Sequence, residues 1–353
     1  MTSTQVSAAP GRPRLAVTMG DPAGIGPEIT AAALAGIRAR DQDADIVVVG
    51  DAARLRQAAR LLGLTPAVET VETVEDPGAG AGAGAEGAVR VLQTGGPTDH
   101  LSFGQVSADA GRASYGYVET AVRLALDGRL DGIVTAPIHK EAWHAAGIAH
   151  PDHTSTLAAL TGAPRHAMML ANNELRTVLV TTHLPLAKAL TEITAERVLG
   201  IVELAHDELR ALGITSPRIA VAGVNPHAGE GGLFGDEEAL AIRPAVEAAR
   251  AVGIDASGPH PPDTVFMRAR RGEFDIVVAQ YHDQGLIPVK LLGIEEGVNA
   301  TLGLPFVRTS VDHGTAFDLA GTGRADAGSL RYAIRSALDL ERARRGQSGG
   351  RAR

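Results

Sequence analysis

Short unbroken runs of Val, Ile, Leu and Ala recur along the chain, separated by stretches in which apolar residues return every three or four positions. Residues 15–18, 46–49, 132–135, 178–182, 219–223 and 276–279 are runs of the first kind. A strand that is apolar at every position is one covered on both faces of a sheet. Thr194 is placed to cap a helix whose positions Val198, Ile201, Val202, Ala205, Leu209 and Leu212 keep the helical period. A second helix is expected after Gly235-Asp236-Glu237-Glu238, because acidic residues favour a helix N-terminus. Asn172-Asn173, between two apolar runs, predicts a hairpin turn. Alternation of this sort predicts an α/β sandwich. Residues 77–87 are Gly/Ala-rich and read as a surface loop, and the tail beyond Arg342 reads as frayed.

Composition narrows the class. At 353 residues the chain exceeds the size of about 250–300 at which single cores stop growing, so two domains are expected. A net charge of −8 argues against nucleic acid or an anionic membrane as partner. With no cysteine, disulfides, thiolate metal sites and Cys nucleophiles are excluded. Neither a secretory signal nor an apolar run of about 18 residues is present, which makes a cytoplasmic protein the expectation.

Candidate chemistry is concentrated in a few turn-punctuated motifs. Tyr281-His282-Asp283-Gln284-Gly285 follows the run 276–279 directly. It delivers an imidazole and a carboxylate to a strand's carboxyl end, where open α/β sheets bind ligands. His153 in Pro151-Asp152-His153-Thr154 and His227 in Asn225-Pro226-His227-Ala228-Gly229-Glu230-Gly231-Gly232 have similar settings. Three such histidines make the donor set of a divalent metal site with an open position. The isolated His144, His150, His166 and His206 read as ordinary imidazoles. Thr18-Met19-Gly20-Asp21-Pro22-Ala23-Gly24-Ile25-Gly26-Pro27-Glu28 is a Gly-rich strand-to-helix turn. It matches neither the dinucleotide fingerprint nor a P-loop, and reads first as structural. Residues 308–321 are too polar and Gly-punctuated for core. They read as an exposed loop entering a helix, either holding a nucleotide or simply capping that helix.

Taken in order, residues 20–29, Thr135-Ala136-Pro137-Ile138-His139-Lys140, His153-Thr154, Thr182-His183-Leu184-Pro185, 225–232, Pro262-Asp263-Thr264, 281–285 and 297–321 resemble the 4-hydroxythreonine-4-phosphate dehydrogenase family of vitamin B6 biosynthesis. The resemblance runs from about residue 15 to 336. More distantly, Gly24-Ile25-Gly26-Pro27-Glu28 and the 313–321 stretch look like motifs of isopropylmalate and isocitrate dehydrogenases. That resemblance implies a non-Rossmann fold of two α/β/α lobes with the active cleft between them. Residues 1–130 and 305–353 would form a discontinuous cofactor lobe, and 131–304 a metal, substrate and dimer lobe. It also implies a homodimer whose sites are completed across the interface.

Carried over residue by residue, the resemblance places one divalent ion (Zn, Mg, Mn or Co) on His153, His227 and His282. Substrate contacts fall on His139, Lys140, Lys290, Asn299 and Arg308, and NAD or NADP lies over His313, Gly314, Thr315, Asp318 and Gly321. Asp263 and Lys140 are both candidates for the general base. The implied reaction oxidises the 3-hydroxyl of 4-phosphohydroxy-L-threonine and then releases CO2, giving 3-amino-2-oxopropyl phosphate. One departure bears on the substrate: Ser155 stands where the family usually has an acidic residue. Together with 233–238 and 286–290, it leans toward the branch that oxidises D-threonate or D-erythronate 4-phosphate. An alternative from another class is a phosphotransacetylase-like acyl or phosphoryl transferase, which shares the fold class but needs neither nicotinamide nor a histidine trio.

Overall fold

The computed structural model describes residues 12–37, 44–65, 67–75, 88–293 and 297–350, so the expected loop at 77–87 lies outside the described residues. Twelve strands occur among the described residues: β1 (Arg14–Thr18), β2 (Asp45–Gly50), β3 (Val68–Val71), β4 (Val89–Gln93), β5 (Gly132–Thr135), β6 (Ala167–Ala171), β7 (Arg176–Leu179), β8 (Ile219–Ala222), β9 (Ala256–His260), β10 (Ile276–Ala279), β11 (Val298–Leu302) and β12 (Val307–Ser310). They make one sheet in the order β3-β4-β2-β1-β5-β12-β11-β6-β7-β10-β8-β9. The first six run parallel to one another. β11 is antiparallel to both β12 and β6, and β6 is antiparallel to β7. Beyond that reversal β7, β10, β8 and β9 are again mutually parallel. The chain is therefore a mixed α/β protein built on one large sheet.

The apolar runs became strands for the expected reason. Every residue of β5, β8 and β10 is buried, between helices such as Ala108–Leu126, Ala195–Ala211 and Gly328–Gly350. Thr194 caps as predicted, its Oγ1 accepting the Arg197 N–H at 3.2 Å. The Asn172 turn joins β6 to β7, with Asn172 Oδ1 accepting from the N–H groups of Glu174 and Leu175 at 2.9 and 2.8 Å. The acidic run leads into the helical segments Glu238–Ile242 and Arg243–Ala251. Among the described residues no helix is long and apolar enough to cross a membrane.

Three expectations are corrected. The run 178–182 contributes a strand that starts and stops earlier, at Arg176–Leu179. Among the described residues, the chain from Arg342 to Gly350 does not fray but continues the helix Gly328–Gly350. Most consequential is β12, where the polar start of the 308–321 stretch is no exposed loop but a fully buried strand at the middle of the sheet. Its polar side chains are accommodated because each is hydrogen-bonded inside. Thr309 Oγ1 donates to the Ala333 carbonyl at 2.8 Å and Ser310 Oγ to that of Thr135 at 3.1 Å.

Candidate active site

Where the strand directions reverse, carboxyl ends from both parts of the sheet line one pocket of about 350 Å³. Pro137, Ile138 and Lys140 follow β5, Asp312 to Gly314 follow β12, His183 follows β7 and His282 follows β10, with His153 and Asn299 between them. Arg308 forms its floor at 3 % exposure. It donates from Nη1 to Thr301 Oγ1 at 2.9 Å and from Nη2 to Thr135 Oγ1 at 2.7 Å, while Nε has no partner. Both acceptors are neutral, and burial lowers its pKa to about 10 against the opposing pull of Asp152. Asp312 is engaged by Lys290 Nζ at 3.0 Å instead. Asn299 Oδ1 and His153 Nε2 are enclosed without partners. Burial, and then the charge of Arg308, pushes the His153 pKa well below its usual value and keeps that ring neutral.

Of the expected trio, His153 and His282 line this pocket and His227 does not. His282 opens the helix His282–Leu291, and its Nδ1 lies 2.7 Å from Asp283 Oδ1. The ring centre of His183 is 5.6 Å away, and His183 Nδ1 is 3.8 Å from Asp152 Oδ2. Burial and the nearby Lys140 lower the His183 pKa, which favours the neutral, ligating form. Each ring thus turns Nδ1 toward a carboxylate, the arrangement that orients metal-binding imidazoles. An imidazole bound at about 2.0–2.1 Å has its centre about 3 Å from the ion, so two ligands at a tetrahedral angle sit about 5 Å apart. The 5.6 Å between the His183 and His282 ring centres is close to that spacing. His153 lies against Trp143, ring centres 5.7 Å apart.

His227 is exposed on the 225–232 loop, its ring 6.1 Å from Phe234 and outside the pocket lining. Among the described residues of this one chain, no three His, Cys, Asp or Glu close on a metal position. His183 carried no assigned role in the sequence reading, although the signal was present: Thr182-His183 ends an apolar run just as Tyr281-His282 does. The loop itself is unusual. His227, Ala228, Gly229, Glu230 and Gly231 all have positive φ, which costs a non-glycine residue about 1–2 kcal/mol. Although burial alone would raise it, hydrogen bonds from Asn225 and Val224 hold the neighbouring Glu238 carboxyl below its usual range.

Facing the pocket from the other side is the loop after β12. The Gly-rich turn, read as structural, is what holds this loop. The Ile25 N–H donates to the Thr315 carbonyl at 3.0 Å, and a Cβ on Gly24 would come within 2.9 Å of Thr315 Cβ. Buried Glu28 accepts from the N–H groups of Gly321 and Gly323 at 2.9 and 2.7 Å. His139 stacks on Phe317 with ring centres 4.4 Å apart, linking loop to pocket. Burial raises the Asp21 pKa, opposed by hydrogen bonds from Ala23 and Gly24 and by the charges of His139 and Arg54.

A family model for the pyridoxal phosphate biosynthetic protein PdxA matches residues 42–337. The chain belongs to the PdxA family. It is 55 % identical over 327 residues to a 4-hydroxythreonine-4-phosphate dehydrogenase of Beijerinckia indica, covering 93 % of this chain and 95 % of that one. It is 48 % identical over 329 residues to a D-threonate 4-phosphate dehydrogenase of Cupriavidus necator, covering 93 % and 97 %. The crystal structure of a 4-hydroxythreonine-4-phosphate dehydrogenase from Klebsiella pneumoniae superposes with a TM-score of 0.85 at 45 % identity, covering 95 % of this chain and 99 % of that one.

Within this PdxA-family chain the two base candidates are not equivalent. Lys140 lines the pocket, whereas Asp263 is exposed in the turn between β9 and the helix Val265–Arg270. Of the residues expected at the cofactor, His313 and Gly314 line the pocket, Thr315 is buried against the Gly-rich turn, and Asp318 is exposed.

Proposed function

We propose that this chain is a metal-dependent, NAD(P)-linked dehydrogenase that oxidises the 3-hydroxyl of a 4-phosphorylated hydroxy acid and releases CO2 from the keto product. The observation that carries this reading is a buried guanidinium, Arg308, hydrogen-bonded only to hydroxyls, beneath a facing pair of histidines. Taking a charge out of water is costly unless a counter-charge meets it. The substrate phosphate would supply one, gripped by Arg308 and drawn by Lys290 as a point charge. When bound, the divalent ion would acidify the hydroxyl and polarise the keto group, and the nicotinamide would take the hydride. Lys140, at the pocket edge, would receive the hydroxyl proton, and His139 would pack beside the cofactor loop. A second protomer would bring its own His227 and Asp263, both exposed here, which is the reading of a homodimer with shared sites. The reversal of strand direction at β12/β11 supports a two-lobe division, 1–130 with 305–353 against 131–304, except that β5 (Gly132–Thr135), placed in the second group, is hydrogen-bonded between β1 and β12 of the first.

For the substrate, 4-phosphohydroxy-L-threonine is the first reading. D-threonate or D-erythronate 4-phosphate is the second, favoured by Ser155. Its N–H and Oγ both bond to Asp152 Oδ1, at 2.9 and 3.0 Å, so the position closes a helix cap and offers no carboxylate to an ammonium group. A screen of NAD and NADP reduction over the three phosphates, with added divalent metal, decides between them. No reduction with any of the three would overturn the proposal.

If the loop after β12 carries the cofactor, Glu28→Ala frees it. Two charged hydrogen bonds of about 1.5–3 kcal/mol each are then lost. The expected result is a KM for dinucleotide raised at least tenfold with a smaller change in the KM for substrate. Equal changes in both would count against that placement.

A further inference from the structure

The 225–232 loop stores its strain in one place. His227, Ala228, Gly229, Glu230 and Gly231 have φ of 54, 54, 79, 44 and 68°. Non-glycine residues enter this region singly, so a run of five that includes three of them must be held from outside. Glu238 is placed to do so. It is buried, and its Oε1 accepts the backbone N–H groups of Val224 and Asn225, both at 2.7 Å. Its Oε2 accepts from Asn225 Nδ2 at 3.0 Å. The loop closes tightly around the carboxylate: a Cβ on Gly223 would meet Oε1 at 3.1 Å, and one on Gly229 would meet Oε2 at 2.7 Å. Among the described residues Glu238 has no cationic partner, so its charge is directed at loop backbone and at Asn225. Of the three non-glycine residues in this run, His227 and Glu230 are exposed.

We infer that Glu238 is a positioning residue whose carboxylate holds the left-handed turn 227–231, and that this turn fixes the His227 imidazole in the direction a divalent cation needs. The inference rests on the reading of His227 as a metal ligand given above. A loop held this way gives up little conformational freedom when the ion arrives, so the metal binds more tightly than it would to a relaxed loop.

Titration of the metal-stripped full-length protein with Co2+, followed by visible absorption and calorimetry, tests this without any turnover. Glu238→Gln keeps the size of the side chain but removes the charge, and is expected to weaken Co2+ binding about 10–100-fold, as loss of an outer partner of a metal ligand does. Adding Ala228→Gly and Glu230→Gly to that variant removes the strain at two of the three non-glycine positions, and should recover part of the lost affinity. A role in general folding predicts no such rescue, and its absence overturns the inference. So does full Co2+ affinity in Glu238→Gln. His227→Ala separates the two readings: if it binds Co2+ like the parent, the ligand assignment falls and the clamp with it. If His227→Ala loses affinity while Glu238→Gln keeps it, only the clamp falls. Should Glu238→Gln fail to fold, Asn225→Ala removes the amide contact to Glu238 together with that to Glu237 Oε2 at 2.7 Å, and is expected to lose affinity several-fold; unchanged affinity there overturns the inference as well.

Discussion

Replacing Arg308 by alanine is expected to lower kcat/KM for a 4-phosphorylated substrate by about 2–4 kcal/mol, roughly 30- to 1000-fold. The size follows from where the guanidinium sits. It is buried on β12 and bonded to Thr135 and Thr301, so it is already fixed in direction by hydroxyls, with the Asp152 charge acting on it from nearby. A phosphate meeting it gains charge-assisted hydrogen bonds at little ordering cost. Arg308→Lys should recover part of the loss, since a lysine offers charge without the planar fork. Activity on the same hydroxy acid lacking phosphate should barely move. Equal losses on both substrates would rule out the phosphate role.

Metal content should separate three of the pocket histidines, His153, His183 and His282. His183→Ala and His282→Ala are each expected to leave the purified protein without its divalent ion and to reduce turnover more than about 100-fold, beyond the effect typical of an outer partner. His153→Ala should retain metal. Its Nε2 is enclosed and its ring packs against Trp143, close to the Arg308 charge. Its loss should appear in substrate KM. Elemental analysis per chain checks this directly. Metal lost from His153→Ala but kept by His183→Ala would instead support the assignment of His153 expected from sequence.

Much of this was legible in the chain, and the reasons for the remainder are physical. Runs such as those of β5, β8 and β10 announce themselves because both faces are covered. β3 (Val-Glu-Thr-Val) and β9 (Ala-Ser-Gly-Pro-His) lie at the sheet edges, where polar residues and proline are tolerated and periodicity fades. β12 was hidden for the opposite reason. It is central, but Arg308, Thr309 and Ser310 are satisfied by partners far away in sequence, which no local pattern reveals. His282, Lys290 and Arg308 were singled out from motifs, and the structure brings them to one pocket with His153 and Lys140. His183 entered only within the Thr182-His183-Leu184-Pro185 motif, with no role of its own, and only the fold puts it opposite His282. Asp152 and Asp312 were missed likewise, since their significance lies in which partner each one meets.

The hairpin β11–β12 has a consequence for how the chain is made. β5 and β6 are consecutive strands, yet they become neighbours only through this hairpin, whose bonds to Thr135 reach back 173 and 175 residues. During synthesis from the N-terminus, two apolar sheet edges therefore wait, unpaired, for the last pair of strands to emerge. Such edges are sites of aggregation, and contacts so distant in sequence slow folding. Arg308, proposed above to meet the substrate phosphate, arrives on the same segment that seals them, so a nascent chain acquires this buried guanidinium and loses its exposed edges in a single late event.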